Sequence, residues 1–168
     1  MRHPRPDQRI KPGPGQESCW DYPRPPALVA SSETVEVVLG GVVVASTTRS
    51  WRVLETSHPP TYYLPREAFV DGALRETDGS SSCEWKGVAA YFDVVGGGVV
   101  APRAAWTYPD PTARFADLAG AVSVMPGQVE ACLVDGEVVV PQAGGFYGGW
   151  ITSRVVGPFK GEPGTWGW

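Results

Sequence analysis

Within four residues of the stretch SSCEWKGVAAYFD, residues 81–93, stand a thiol, an indole and an ammonium: Cys83, Trp85 and Lys86. A thiolate is a nucleophile or a redox group, and it is favoured by a neighbouring cation such as Lys86 or a protonated histidine. His58, in ETSHPPTYY, is the only histidine outside the N-terminal tail, and so the only imidazole placed to move a proton near neutral pH. Cys83 as nucleophile or redox thiol, His58 as its proton partner and Lys86 as an electrostatic aid make a minimal catalytic set. Spacing along the chain does not fix their distances. Each residue also has a plain structural role open to it: Cys83 as a small half-buried side chain, His58 as a turn residue before Pro59, and Lys86 as a solvated strand-end charge.

The same stretch supports a second chemistry. Read as one strand, Cys83, Trp85, Gly87, Ala89, Tyr91 and Asp93 share a face, with Glu84, Lys86, Val88 and Phe92 on the other. Two rings then flank a Gly/Ala notch, which makes room for a ligand or for a neighbouring segment of the chain. In AAWTY the side chains of Trp106 and Tyr108 share a face, and in TYYL Tyr63 points away from Tyr62. Trp85, Tyr91, Trp106, Tyr108 and Tyr63 are thus candidate walls of an aromatic cleft, with Lys86 anchoring an anionic or carbonyl group.

Other templates are missing from the sequence. It contains no G-x-x-x-x-G-K-[ST], no G-x-G-x-x-G at a strand-to-helix turn, no G-x-S-x-G elbow and no H-E-x-x-H. Asp93 and Asp110 lack a third ligand at metal spacing, so neither a metal nor a cofactor is expected. Cys19, Cys83 and Cys132 are odd in number and form no C-x-x-C, which predicts free thiols. A net charge of −4 and a pI near 5.2 supply no global field for nucleic acid or an anionic membrane. The one basic stretch, Arg2, Arg5, Arg9 and Lys11, reads as a solvated tail. No apolar leader or membrane-length window occurs, so a soluble cytoplasmic protein is expected. Three lysines against eleven arginines, with no asparagine, is the usage of a GC-rich bacterial genome.

The elements that must position these residues are mostly strands. VEVVLGGVVVAS, YFDVVGGGVVA and ACLVDGEVVVP each set two β-branched runs around a glycine turn, which predicts three hairpins and antiparallel sheets. SWRVLETS, TYYL and AAWTY add further strands. Two short helices are expected, one from Pro65 in LPREAF and one through TARFADLA with Asp110 as N-cap, ending at Gly120. Residues 1–27 hold seven prolines and predict an extended lead-in to a core over 28–140. Residues 141–168 hold eight glycines and six aromatic residues, a tail expected to pack on the core through Phe146, Tyr147, Trp150 and Phe159. Order imposed by a partner is the other reading, that of a protein-interaction module.

The motifs SHPPTYYLP, SCEWKGVAAYFDV and AAWTYPDP, in this order and spacing, resemble the family called domain of unknown function 427 (DUF427) over about Val35 to Glu137. The flanks WDYPRPP and GGFYGGWITSRVVGPFKGEPGTWGW resemble those of its longer members. The resemblance implies a β-tent, two antiparallel sheets meeting at an angle, as in B-type methionine sulfoxide reductases and the ligand-binding domain of cereblon. The first comparison would point to Cys83 and the second to a cage of Trp85, Trp106 and Tyr91. The paired C-x-x-C knuckles frequent in such folds are absent, so packing must hold the apex. The family's occasional nucleotidyltransferase label finds no nucleotide or metal motif here.

Overall fold

The computed structural model describes residues 3–168. Of the basic N-terminal stretch, Arg2 lies outside the described residues; Arg5 pairs with Asp7, and Arg9 lies over the Trp20 ring at 4.8 Å.

The chain is mainly β, in several antiparallel sheets built from hairpins. In chain order the strands are β1 (Glu17–Ser18), β2 (Ala27–Ser31), β3 (Val35–Leu39), β4 (Val42–Thr47), β5 (Ser50–Leu54), β6 (Thr61–Tyr63), β7 (Leu74–Cys83), β8 (Gly87–Gly96), β9 (Val99–Thr107) and β10 (Val122–Val124). They continue with β11 (Ala131–Val134), β12 (Glu137–Val138), β13 (Val140–Pro141), β14 (Trp150–Ile151) and β15 (Val155–Val156). Two four-stranded antiparallel sheets dominate, ordered β12-β11-β3-β4 and β10-β9-β8-β7, beside a three-stranded sheet β2-β5-β6. The β13–β14 ribbon and the parallel β1–β15 pair involve the C-terminal segment.

All three expected hairpins form. Their turns, Gly40-Gly41, Gly97-Gly98 and Asp135-Gly136, have positive φ at both central residues, from 48° to 80°, the conformation whose twist matches that of paired strands. Strand alternation sorts the side chains. Val35, Val37 and Leu39 of β3 meet Val44 of β4, Phe92 and Val94 of β8, and Val122 and Val124 of β10 in the largest core cluster, which Trp150 of β14 also joins, fully buried. Of the four tail rings expected to pack down, Phe146 instead stands in solvent, 83% exposed.

Two local expectations are corrected. Residues 83–93 are not one strand: β7 ends at Cys83, residues 84–86 make a turn, and β8 starts at Gly87, which pairs back with Cys83. The turn is set by Gly87 at φ 114°, a backbone angle that period-two reading cannot see. Helical segments are short 3₁₀ turns, among them Arg66–Ala68 after Pro65 and Ala113–Leu118. The second is capped at Thr112 rather than Asp110, with no side-chain cap bond. The Thr112 hydroxyl donates to the Trp85 carbonyl at 2.6 Å, and the Thr112 N–H donates to the Lys86 carbonyl at 3.1 Å. The segment before the 3₁₀ turn therefore pins the β7–β8 tip.

An ion-pair knot ties the flanks to the middle of the chain. The Arg52 side chain, only 3% exposed, donates to Glu17 at 2.6 Å, while Arg154 reaches Glu33 at 2.9 Å and Glu17 at 3.5 Å. Hydroxyls of Tyr22 and Tyr62 donate to Glu17 and Glu33. Burial of two carboxylates would raise their pKa values, but the guanidinium and hydroxyl donors outweigh it and hold both Glu17 and Glu33 below the usual range.

Candidate functional site

Tyr62 and Tyr63 are neighbours on β6, and the pleat sends them to opposite sides. Tyr62 packs near Trp150 at 5.0 Å in the main core, whereas Tyr63 enters a second cluster with Val53, Ala89, Tyr108, Phe115, Leu118 and Ala121. Cys83, Trp85 and Trp106, each half-buried, pack against that second cluster. The pinned β7–β8 tip, the end of β9 and β6 thereby bring together Cys83, Trp85, Lys86, Trp106, Tyr108 and Tyr63.

A line of polar groups runs through the rings. The Trp106 indole N–H donates to the Tyr63 hydroxyl at 3.1 Å. An indole can only donate, so the Tyr63 oxygen accepts and its own hydrogen is free for Tyr108, whose hydroxyl in turn meets Cys83. Burial pushes both phenols above their ordinary range, helped by Tyr108 at Tyr63 and by Cys83 at Tyr108, so both stay neutral at pH 7. The Lys86 ammonium stands 5.9 Å from the centre of the Tyr108 ring. Among the described residues neither that ammonium nor the Trp85 indole N–H has a hydrogen-bond acceptor.

Tyr91 sits differently. It faces Trp106 across the β8–β9 pair, but its hydroxyl bonds with Ser81 at 2.6 Å and its ring carries the Arg103 guanidinium at 4.5 Å. Asp93 is occupied by the Arg103 N–H and by Arg75. No group of three His, Cys, Asp or Glu side chains fit for a metal ion occurs among the described residues.

His58 has its own partners. Its Nδ1 lies 3.0 Å from the Gln142 amide nitrogen, which also donates to the Lys160 carbonyl at 2.7 Å; Nδ1 therefore accepts, and the proton sits on Nε2, 3.8 Å from Glu55. Burial above all, then the charges of Lys160, Arg24 and Lys86, drive the imidazole pKa down to about 4. It is neutral at pH 7. The thiol lies beside Tyr108 and the imidazole bonds to Gln142, so Cys83 and His58 have separate neighbours. Cys83 is half-buried, whereas burial lifts Cys19 and Cys132 to about 12; all three are free.

Four residues beside these groups were not singled out for the site by sequence reasoning. Gln142 is buried and saturated: besides its two donor bonds, its carbonyl oxygen accepts the Gly149 N–H at 3.2 Å. Tyr147 lies edge-on to His58 at 5.2 Å, and Lys160 sits over the Tyr147 ring at 5.7 Å. A Cβ at Gly148 would collide with the Trp106 ring. The paired glycines 148 and 149 were the available cue, since glycine marks close backbone approach. Two open cavities, of about 480 and 470 Å³, lie elsewhere, one lined by Gln16, Glu33, Asp135 and Arg154 beside the ion-pair knot, the other by His3, Arg5, Pro158 and Trp168.

No helix among the described residues is long and apolar enough to cross a membrane. No curated protein matches the sequence. Residues 27–135, well over half of the chain and the stretch that supplies every ring and charge of the aromatic cluster except those of the tail, match the family described as Domain of unknown function (DUF427). The chain belongs to that family.

Proposed function

We propose that the protein binds a small ligand with a flat ring and an anionic or carbonyl end at the aromatic cluster. Trp85, Trp106 and Tyr108 would contact the ring, Lys86 would hold the acceptor end, and Tyr63 fixes the Trp106 indole from below. One observation carries the reading: the uncommitted polar groups beside the rings of this cluster, the Lys86 ammonium and the Trp85 N–H, are both donors, while the Glu84 carboxylate of the same turn is exposed. A ligand that fits them brings acceptors and aromatic surface. Of the two chemistries implied by the β-tent likeness, the tryptophan cage fits this geometry better than a thiol with a histidine partner, with Tyr91 standing at its outer edge. Tryptophan fluorescence titrated with a panel of aromatic carboxylates and phosphates tests the reading. Binding in the micromolar to millimolar range is expected, with Trp85→Phe and Trp106→Phe each removing part of the signal and Lys86→Ala weakening binding about tenfold. Silence across the panel, or binding indifferent to all three substitutions, would sink it.

A second reading rests on the contact between Cys83 and the Tyr108 hydroxyl. There the enzyme uses Cys83 as nucleophile or redox thiol, with Tyr108 rather than His58 beside the sulfur and Lys86 as electrostatic aid. It predicts that Cys83 alkylates faster below pH 8 than an unperturbed thiol, and that Tyr108→Phe changes that pH profile. An ordinary thiol profile in both proteins removes this reading.

A further inference from the structure

We infer that the Ala143–Gly149 loop is a lid whose Phe146 ring closes over Trp106 and the bound ligand; this rests on the ligand site proposed above. Phe146 is the most exposed of the large apolar side chains among the described residues, 83% open to solvent, yet it belongs to a loop that already rests on the site. Its next neighbour, Tyr147, lies edge-on to His58, and Gly148 touches the Trp106 ring so closely that no Cβ fits. Phe146 is two residues from that contact, within about 7 Å along the chain.

Both ends of the loop are anchored while its tip is not. Gln142 is buried with its amide fully bonded, and beyond the loop Trp150 is buried with its backbone N–H on the Pro60 carbonyl at 2.7 Å. Just before the tip, Gly144 and Gly145 have φ of 99° and 67°. Ala143 and Gly144 rest on the Gly161 backbone, whereas Gly145 stands in open space and can change φ with little steric cost, as hinge positions of closing loops do. Among the described residues the Phe146 ring meets one other ring, that of the adjacent Tyr147, 5.2 Å between centroids. Closure would bury this ring on the site's own indole.

The test uses the full chain with benzoate and indole-3-acetate as probes, followed by stopped-flow tryptophan fluorescence. Phe146→Ala, a change at an exposed position, is expected to weaken both probes about tenfold, mainly through faster dissociation, with Phe146→Leu intermediate. Affinities within twofold of the unmodified protein would overturn the lid while leaving the ligand site standing. Failure of the unmodified protein to bind either probe overturns the ligand site and the lid with it. If Phe146→Ala alters sedimentation but leaves both affinities unchanged, the ring belongs to a contact between copies of the chain and the lid is rejected.

Discussion

His58 shows how environment decides what a residue type can do. The sequence marks it as the one proton carrier near neutrality; burial, Lys160, Arg24 and Lys86 move its titration down to about pH 4. A base whose folded pKa lies below its unfolded value binds fewer protons folded than unfolded between the two. Stability is therefore complete above about pH 6.5 and falls as pH drops toward 4, by at most about 3 kcal/mol from this group. Urea unfolding at pH 7.5 and pH 4.5 should show that loss, and His58→Gln should flatten it; an unchanged slope in the variant would place the acid sensitivity elsewhere. The candidate rings and charges could be named from sequence because Trp, Tyr, Cys and Lys advertise their chemistry. Gln142 could not, since a neutral amide becomes informative only when its three bonds to His58, Lys160 and Gly149 are seen.

At the scale of elements, the hairpins were readable because a β-branched run, a turn pair with positive φ and a second run form one local code. What local code cannot hold is where hairpins meet. The β3–β4 and β8–β9 turns touch through their backbones: a Cβ on Gly97 would collide with the Gly40 carbonyl, whereas a Cβ on Gly98 meets nothing within 4 Å. Both have positive φ, 55° and 78°, so alanine at either carries the same conformational cost of about 1 kcal/mol. Gly97→Ala should lose clearly more stability than Gly98→Ala, by about 2 kcal/mol or more, in chemical denaturation. Equal losses would mean the two turns do not pack as described. The misread stretch 83–93 has the same origin, because alternation continues across the Glu84–Lys86 turn without a break and only the backbone of Gly87 reveals the reversal.

Across the whole molecule, the segments before and after the matched residues 27–135 are held by a few long-range contacts. Glu17, Glu33, Arg52 and Arg154 come from four distant positions, and a pairing that spans so much chain leaves no periodic trace in sequence. Arg52→Ala would remove the buried donor to Glu17, whose carboxylate would keep Tyr22 and the more exposed Arg154, and should cost about 2 kcal/mol, more than Arg154→Ala, whose side chain is 40% exposed. Comparable small losses for both would show that solvent, not Arg52, balances the carboxylates. Since Glu17 and Glu33 are held below the usual carboxylate range, the knot stabilises the fold above about pH 4.5 and weakens as pH falls through their folded values, beneath the window governed by His58. The C-terminal segment enters both the core, through Trp150, and the aromatic cluster, through Gly148, so the proposed binding would be coupled to the fold through it.

The ligand site itself is tested most directly by the indole N–H resonances in a ¹H–¹⁵N spectrum, each assigned by Trp→Phe substitution, during titration with benzoate. The Trp150 and Trp20 indoles are engaged by the Val124 and Pro158 carbonyls and serve as internal references. The account predicts saturable shifts at Trp85 and Trp106, no movement of Trp20 or Trp150, and a midpoint moved to about tenfold higher benzoate in Lys86→Ala. Stationary Trp85 and Trp106 signals, or shifts that persist unchanged without Lys86, would contradict it.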